Sequence, residues 1–181
     1  EVPRPPGPPA DGRPLATPAT NTGTEAAPPG GGQHPPRPAG TGLGDDAVRT
    51  GPARAWVRGD GRGLPVATEP VEGTPYDFRS ARAIGDTKLD TPYAALIRDG
   101  DDRAVVSLDA SDGSRGVDLW VGEGADYLQV FSGDTLATSR RRTGLAVEPM
   151  SCPPDAFNSG EGLVSLDPGA TDLLRWGLDT H

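Results

Sequence analysis

The sequence predicts an all-β fold, an antiparallel β-sandwich, on three observations. Apolar residues alternate with period two: Val117, Leu119 and Val121 are interleaved with Asp118 and Trp120, and Leu128 and Val130 with Tyr127, Gln129 and Phe131. Turn dipeptides recur at short spacing, at Asp60-Gly61, Asp99-Gly100 and Asp112-Gly113. No stretch sustains a helical apolar period. The spacing gives about eight strands, and an open sheet of such strands must cover its apolar face with a second sheet. Few residues are left to build that second sheet, so the sandwich is expected to be incomplete at its N-terminus.

Taken in chain order, residues 1–40 hold twelve of the 21 prolines. Proline lacks the N–H that an interior strand or helix needs, so "EVPRPPGPP" reads as a polyproline-type or disordered tail. PxxP spacing occurs at Pro5–Pro8, without the flanking arginine arrangement of an SH3 ligand. Gly30-Gly31-Gly32 lacks the following lysine and the strand–helix context of a phosphate loop. From Asp45, "DDAVRTGPARAWVRGDGRGLPV" reads as two short strands with a tight turn at Asp60-Gly61. Leu96 and Ile97 precede the next turn, and Val106 and Leu108 the one after. "DGDD" at 99–102 lacks calcium-loop spacing and its final Glu, so it reads as a solvated turn. Gly144 to Val147 form an apolar strand that ends in Glu148, held by Pro149. Residues 162–167 and 171–178 supply two last strands around Pro168-Gly169.

Composition narrows the function. The 181 residues suit one domain of ordinary size. Of the 32 Leu, Ile, Val and Phe residues, 23 fall in 84–181, which is where a core is expected. A net charge of -9 repels phosphate backbones and anionic lipid, so neither nucleic acid nor a membrane is an expected partner. No run of 18 apolar residues exists to span a bilayer. No signal peptide is visible, and the chain begins with Glu1 rather than Met. The single cysteine, Cys152, excludes an internal disulfide and a cysteine-based zinc cluster, and points to a reducing, cytoplasmic setting.

The titratable inventory is narrow. HExxH, CxxC and GxSxG motifs are absent, and the two histidines are His34 and His181. Glu148 at a strand end is either rigidly presented for chemistry or a surface glutamate. His34, in "GGGQHPPRP", is the one non-terminal histidine and on position alone reads as a solvated loop residue. Asp90, in "TKLDTPY", either meets a ligand or starts a turn before Pro92. Arg140 to Arg142 read as a phosphate contact or, more simply, a solvated basic turn. Phe157 and Trp120 read as core aromatics.

Several runs together resemble the C-terminal part of an aldose 1-epimerase, the galactose mutarotase-like family. They are "TNTGTEAAPPGGGQHP" (20–35), "EPVEGTPYDFR" (69–79), "IGDTKLDTPYAAL" (84–96), "YLQVFSGD" (127–134) and "GLAVEPMSCPPDAFNSGEGLVSLDPG" (144–169). The resemblance implies a β-supersandwich over residues 20–181, with residues 1–19 a Pro-rich degenerate or disordered segment. It implies interconversion of the α and β anomers of an aldohexose or hexose phosphate, without metal or cofactor. On that resemblance Glu148 is the base toward the C1 hydroxyl and His34 the acid toward the ring oxygen. Asp90 would hold sugar hydroxyls and Gln33 would line the site. The family's preceding half, with an arginine and a first histidine that bind and polarise the sugar, has no visible counterpart. His34 is followed by Pro35-Pro36, where the family favours Pro then an aromatic. The chain is therefore expected to be a fragment with an incomplete site. Two functions stay open: an aldose epimerase, or a carbohydrate-binding module with a decayed site.

Overall fold

The computed structural model describes residues 14–32, 36–38, 43, 46–51 and 53–181. The described strands are β1 (Leu15–Thr20), β2 (Pro36–Pro38), β3 (Asp46–Thr50), β4 (Ala53–Gly59), β5 (Pro65–Pro70) and β6 (Arg82–Ala83). They continue with β7 (Asp90–Leu96), β8 (Ala104–Ala110), β9 (Gly116–Val121), β10 (Tyr127–Phe131), β11 (Gly144–Met150) and β12 (Thr171–Thr180). A single helical turn, α1 (Ala156–Ser159), follows β11. All named pairings are antiparallel. The first sheet runs β1-β12-β9-β8-β3-β6 and the second β2-β11-β10-β7-β4-β5.

Two expectations are corrected here. Twelve strands are described rather than about eight, and this one chain builds both six-stranded sheets. The count rises because the chain passes between sheets at short connections that read from sequence as continuous or as plain turns. β3 lies in the first sheet and β4 in the second, although only Gly51 and residue 52 separate them. β7 and β8 are likewise split across the Asp99-Gly100 turn. The expected pair of terminal strands is also revised. Residues 171–180 form one strand, whereas the 162–167 segment contributes only a bridge from Leu166 to Ala27. The boundary expected at residue 19 falls inside β1, where Pro18 pairs with Leu173. Its missing N–H is tolerated because β1 is an edge strand.

The core lies between the sheets, and the period-two alternation decides which side chains enter it. Val106, Leu119, Val121 and Leu178 come from the first sheet, and Leu128, Val130, Leu145 and Val147 from the second. Leu128 is 1% exposed, so truncating it to alanine removes buried apolar volume worth about 2–5 kcal/mol. Trp120 alternates to the opposite face of β9. There it is buried beneath the Arg103 guanidinium, 4.3 Å above its ring.

The β9–β10 connection carries the chain from the first sheet to the second. Gly122 N–H donates to Arg175 O and Ala125 N–H to Gly122 O. Gly124 within it has φ 76°, and a Cβ there would stand 1.9 Å from Leu173 O. Glycine is thus required twice, by the left-handed backbone and by the contact with β12.

Candidate functional site

The same alternation that buries Leu128 and Val130 turns Tyr127, Gln129 and Phe131 to the other face of the second sheet. Register then groups the neighbours. Gln129 lies opposite Glu148 on β11 and opposite Pro92 on β7, and Phe131 lies opposite Asp90. Residues facing each other across a ladder share a face, so Glu148, Gln129 and Asp90 project from one surface. They line a cavity of about 710 Å³ with Phe131, Lys88 and Met150. This volume lies within the range of small-molecule sites, roughly 300–1,000 Å³.

Glu148 is half-buried, and it lies inside its strand rather than at the end: β11 continues through Pro149 and Met150. The expected stop at Glu148 is thereby corrected. Pro149 is fully buried on the core side and pairs with Leu128, which fixes the alternation that turns Glu148 outward. After Met150 the chain enters the Pro153-Pro154 turn and α1, and Pro154 reaches the cavity wall.

Asp90 opens β7, and one carboxylate oxygen, Oδ1, accepts a hydrogen bond from Gln129 Nε2 at 2.7 Å. A charge-assisted bond of this kind orients the carboxylate without occupying its second oxygen. Beneath it lies a polar network. Leu89 N–H donates to Ser132 Oγ at 2.8 Å, and the Ser132 hydroxyl donates to Asp134. Arg142 Nη1 donates to both Asp134 oxygens at 3.1 Å. Burial works against the Asp134 carboxylate. The Ser132 and Arg142 bonds outweigh it and hold the carboxyl below the usual range.

At the far wall, the Trp56 and Tyr76 rings contact at a 4.4 Å centroid distance. Tyr93 Oη donates to Tyr76 O at 3.2 Å, and burial holds the Tyr93 phenol far above its ordinary pKa. Arg58 also lines the cavity and is paired with Glu69 at 2.7 Å.

His34 and Gln33 lie outside the described residues. The chain is nevertheless held to β11 on both sides of them. Gly32 bridges to Met150, Gly31 O accepts from Ser151 N–H at 2.9 Å, and Pro36 pairs with Ala146. A Cβ on Gly30 would stand 2.9 Å from the tip of the exposed Phe157 ring, so Gly30 lies close against the α1 loop, whereas Gly31 and Gly32 have room for a side chain.

The remaining candidates separate cleanly. Trp120 belongs to the first sheet and is absent from the cavity lining. Phe157 is 69% exposed, neither core nor cavity wall. Arg142 is committed to Asp134 and to the carbonyls of Gly85 and Thr87. The 99–102 turn is closed on itself, Asp99 Oδ1 accepting from Asp101 and Arg103 N–H. Among the described residues no group of three His, Cys, Asp or Glu side chains is placed to hold a metal, and no helix is long and apolar enough to cross a membrane. Gln129 and Lys88 are cavity residues that the linear reading left unassigned. The signal for Gln129 was present in "YLQVF", whose polar member shares a face with the aromatics rather than with the core.

Known proteins resemble this chain in sequence and in fold. The sequence model of the aldose 1-epimerase family matches residues 50–172. The protein YihR of Escherichia coli strain K12 is 34% identical over 165 residues, which is 87% of this chain and 48% of YihR. A galactose mutarotase-like protein from Clostridium acetobutylicum superposes with a TM-score of 0.76 at 15% identity, covering 93% of this chain and 52% of that one. A galactose 1-epimerase from Lactobacillus acidophilus NCFM superposes with a TM-score of 0.67 at 20% identity, covering 92% of this chain and 53% of that one. The chain spans about half the length of the relatives it matches. The two antiparallel sheets are those of the galactose mutarotase-like sandwich, and with a match across residues 50–172 the chain belongs to the aldose 1-epimerase family.

Proposed function

We propose that this chain carries the acid–base side of an aldose 1-epimerase site, an isomerase acting on an aldohexose or hexose phosphate. The observation that supports it most is the convergence of Glu148, Gln129 and Asp90 on one cavity across three adjacent strands. Anomer interconversion needs one proton taken from the C1 hydroxyl and one given to the ring oxygen. A carboxylate and an imidazolium do this well, because each reverses its role on reclosure. Glu148 removes the O1 proton as the C1–O5 bond breaks, and His34 protonates O5. Rotation about C1–C2 in the open aldehyde presents its other face. Reclosure returns the proton from Glu148 to O1 and passes the O5 proton back to His34, so both groups are restored.

His34 is given the acid role on the family resemblance of "GGGQHP"; its described neighbours Gly32 and Pro36 are held to Met150 and Ala146 of β11. Asp90 accepts sugar hydroxyls through the oxygen not taken by Gln129, and Gln33 is kept as a sugar-contact candidate on the family resemblance. A second reading is carbohydrate binding without turnover, for which a cavity lined by the Asp90 carboxylate and the Gln129 amide suffices.

Polarimetry on freshly dissolved α-glucose or α-galactose separates the two. Glu148→Gln keeps shape and removes the base, and the expected loss is about 10²–10⁴ in rate. Wild-type turnover in that variant rules out Glu148 as the base. Saturable sugar binding with no mutarotation in the wild-type chain establishes the binding module instead.

A further inference from the structure

We infer that Arg142 is a positioning residue of this site, fixing from below the loop that presents Asp90 and Lys88 to the cavity. This rests on the reading above that Asp90 contacts the sugar. Arg142 lies outside the cavity lining, and its side chain is 21% exposed. Its backbone has φ 54°, a left-handed conformation that is unfavourable for a non-glycine residue. That strain persists only where surrounding contacts over-determine it. Here they do. The guanidinium fork donates to Gly85 O, to Thr87 O at 3.2 Å and to both oxygens of Asp134. The Arg142 carbonyl accepts from Leu43 N–H at 3.2 Å, and Leu43 is fully buried.

One side chain thus joins two loops that meet nowhere in sequence. The first, around residues 85–89, leads straight into Asp90. The second, around 132–134, follows directly on the Leu128–Phe131 ladder that pairs β10 with β7. Ser132 completes the bracket: its N–H donates to Leu89 O at 2.9 Å, its Oγ accepts from Leu89 N–H, and it is fully buried. Asp134 faces both ways, lining the cavity while holding the Arg142 fork. A lysine has one point charge and cannot span two carbonyls and a carboxylate in one plane.

The test uses Arg142→Gln and Arg142→Lys in the full chain, with polarimetric kinetics over a range of sugar concentrations. The side-chain amide resonances of Gln129 are followed by NMR, because that amide reports the bond to Asp90. Displacement of a binding group lowers affinity and leaves the chemical step largely intact. Arg142→Gln is therefore expected to raise KM about tenfold, within the roughly 10²-fold that an ångström of misplacement can cost, with kcat changed much less. Its Gln129 amide resonances are expected to move. Asp90→Ala gives a similar KM, and adding Arg142→Gln to it gives no further rise. Arg142→Lys recovers only part of the loss, and it replaces the glutamine variant if the latter does not fold. Unchanged KM and unmoved Gln129 resonances in a folded variant overturn the assignment, as do fully additive losses with Asp90→Ala. A wild-type chain without turnover defeats the enzymatic reading alone, and the Gln129 resonances then decide the role of Arg142.

Discussion

Gln129 offers a sharp test of the site, because it was placed there by register alone. Leucine at this position keeps the β10 backbone and much of the side-chain volume. It removes the Nε2–H that donates to Asp90 Oδ1 at 2.7 Å. Without that donor the exposed Asp90 carboxylate is no longer held in one orientation, and misplacing a binding group by about an ångström costs up to roughly 10²-fold. Gln129→Leu is thus expected to raise the KM for mutarotation about tenfold. kcat should hold within a few-fold, because Glu148 and its chemistry are untouched. Gln129→Glu goes further. It sets a carboxylate directly opposite Glu148 on β11 and beside Asp90, and like charges facing across a ladder repel. Its penalty should shrink as pH falls through the carboxylate range and as salt is raised. Initial rates by polarimetry at several sugar concentrations, beside a thermal melt, measure both. A Gln129→Leu chain with wild-type KM and wild-type melting refutes the idea that this amide orients Asp90 for substrate.

Two further outcomes concern the scaffold. Gly124→Ala adds a Cβ 1.9 Å from Leu173 O in a φ 76° conformation, so it should lose at least about 1–2 kcal/mol and several degrees of Tm, measured by thermal denaturation. Tyr93 has its folded-state pKa raised above the ordinary value of 10.0, first by burial and then by the neighbouring Tyr76 and Asp77. Its contribution to stability is fully present below pH 10.0 and is lost as pH rises toward the folded-state value, because the unfolded chain releases the phenolic proton first. Urea melts between neutral pH and pH 11 should therefore show an alkaline decline that Tyr93→Phe flattens; identical declines in both proteins contradict this.

The proposal of Glu148, His34 and Asp90 as site residues rests on local runs such as "LAVEP" and "TKLDTPY", whose resemblance to one family needs no neighbour in space. What that resemblance did not carry was the support beneath the site. Nothing in "SRRRTG" distinguishes Arg142 from Arg140 or Arg141. The guanidinium becomes structural only because Gly85 and Thr87, more than fifty residues earlier, fold beneath it. The prolines misled in the same way. Pro18 argued against a strand, and the edge position that excuses it is a property of the sheet rather than of the segment.

The linear chain determined that this protein is built from strands, and in the clearest of them, β10, it determined which side chains face inward. Period-two alternation is a property of a single extended segment, so Leu128 and Val130 declare themselves core, and Gln129 declares itself outward, before any partner is known. Only the tertiary structure decided that β10 lies between β11 and β7, which brings Glu148 and Asp90 to opposite sides of Gln129. It also decided that β3 and β4, nearly continuous in sequence, belong to different sheets. Strand order is set by non-local pairing and by the joint burial of two apolar faces. Those terms depend on residues tens of positions apart and leave no mark on the local pattern.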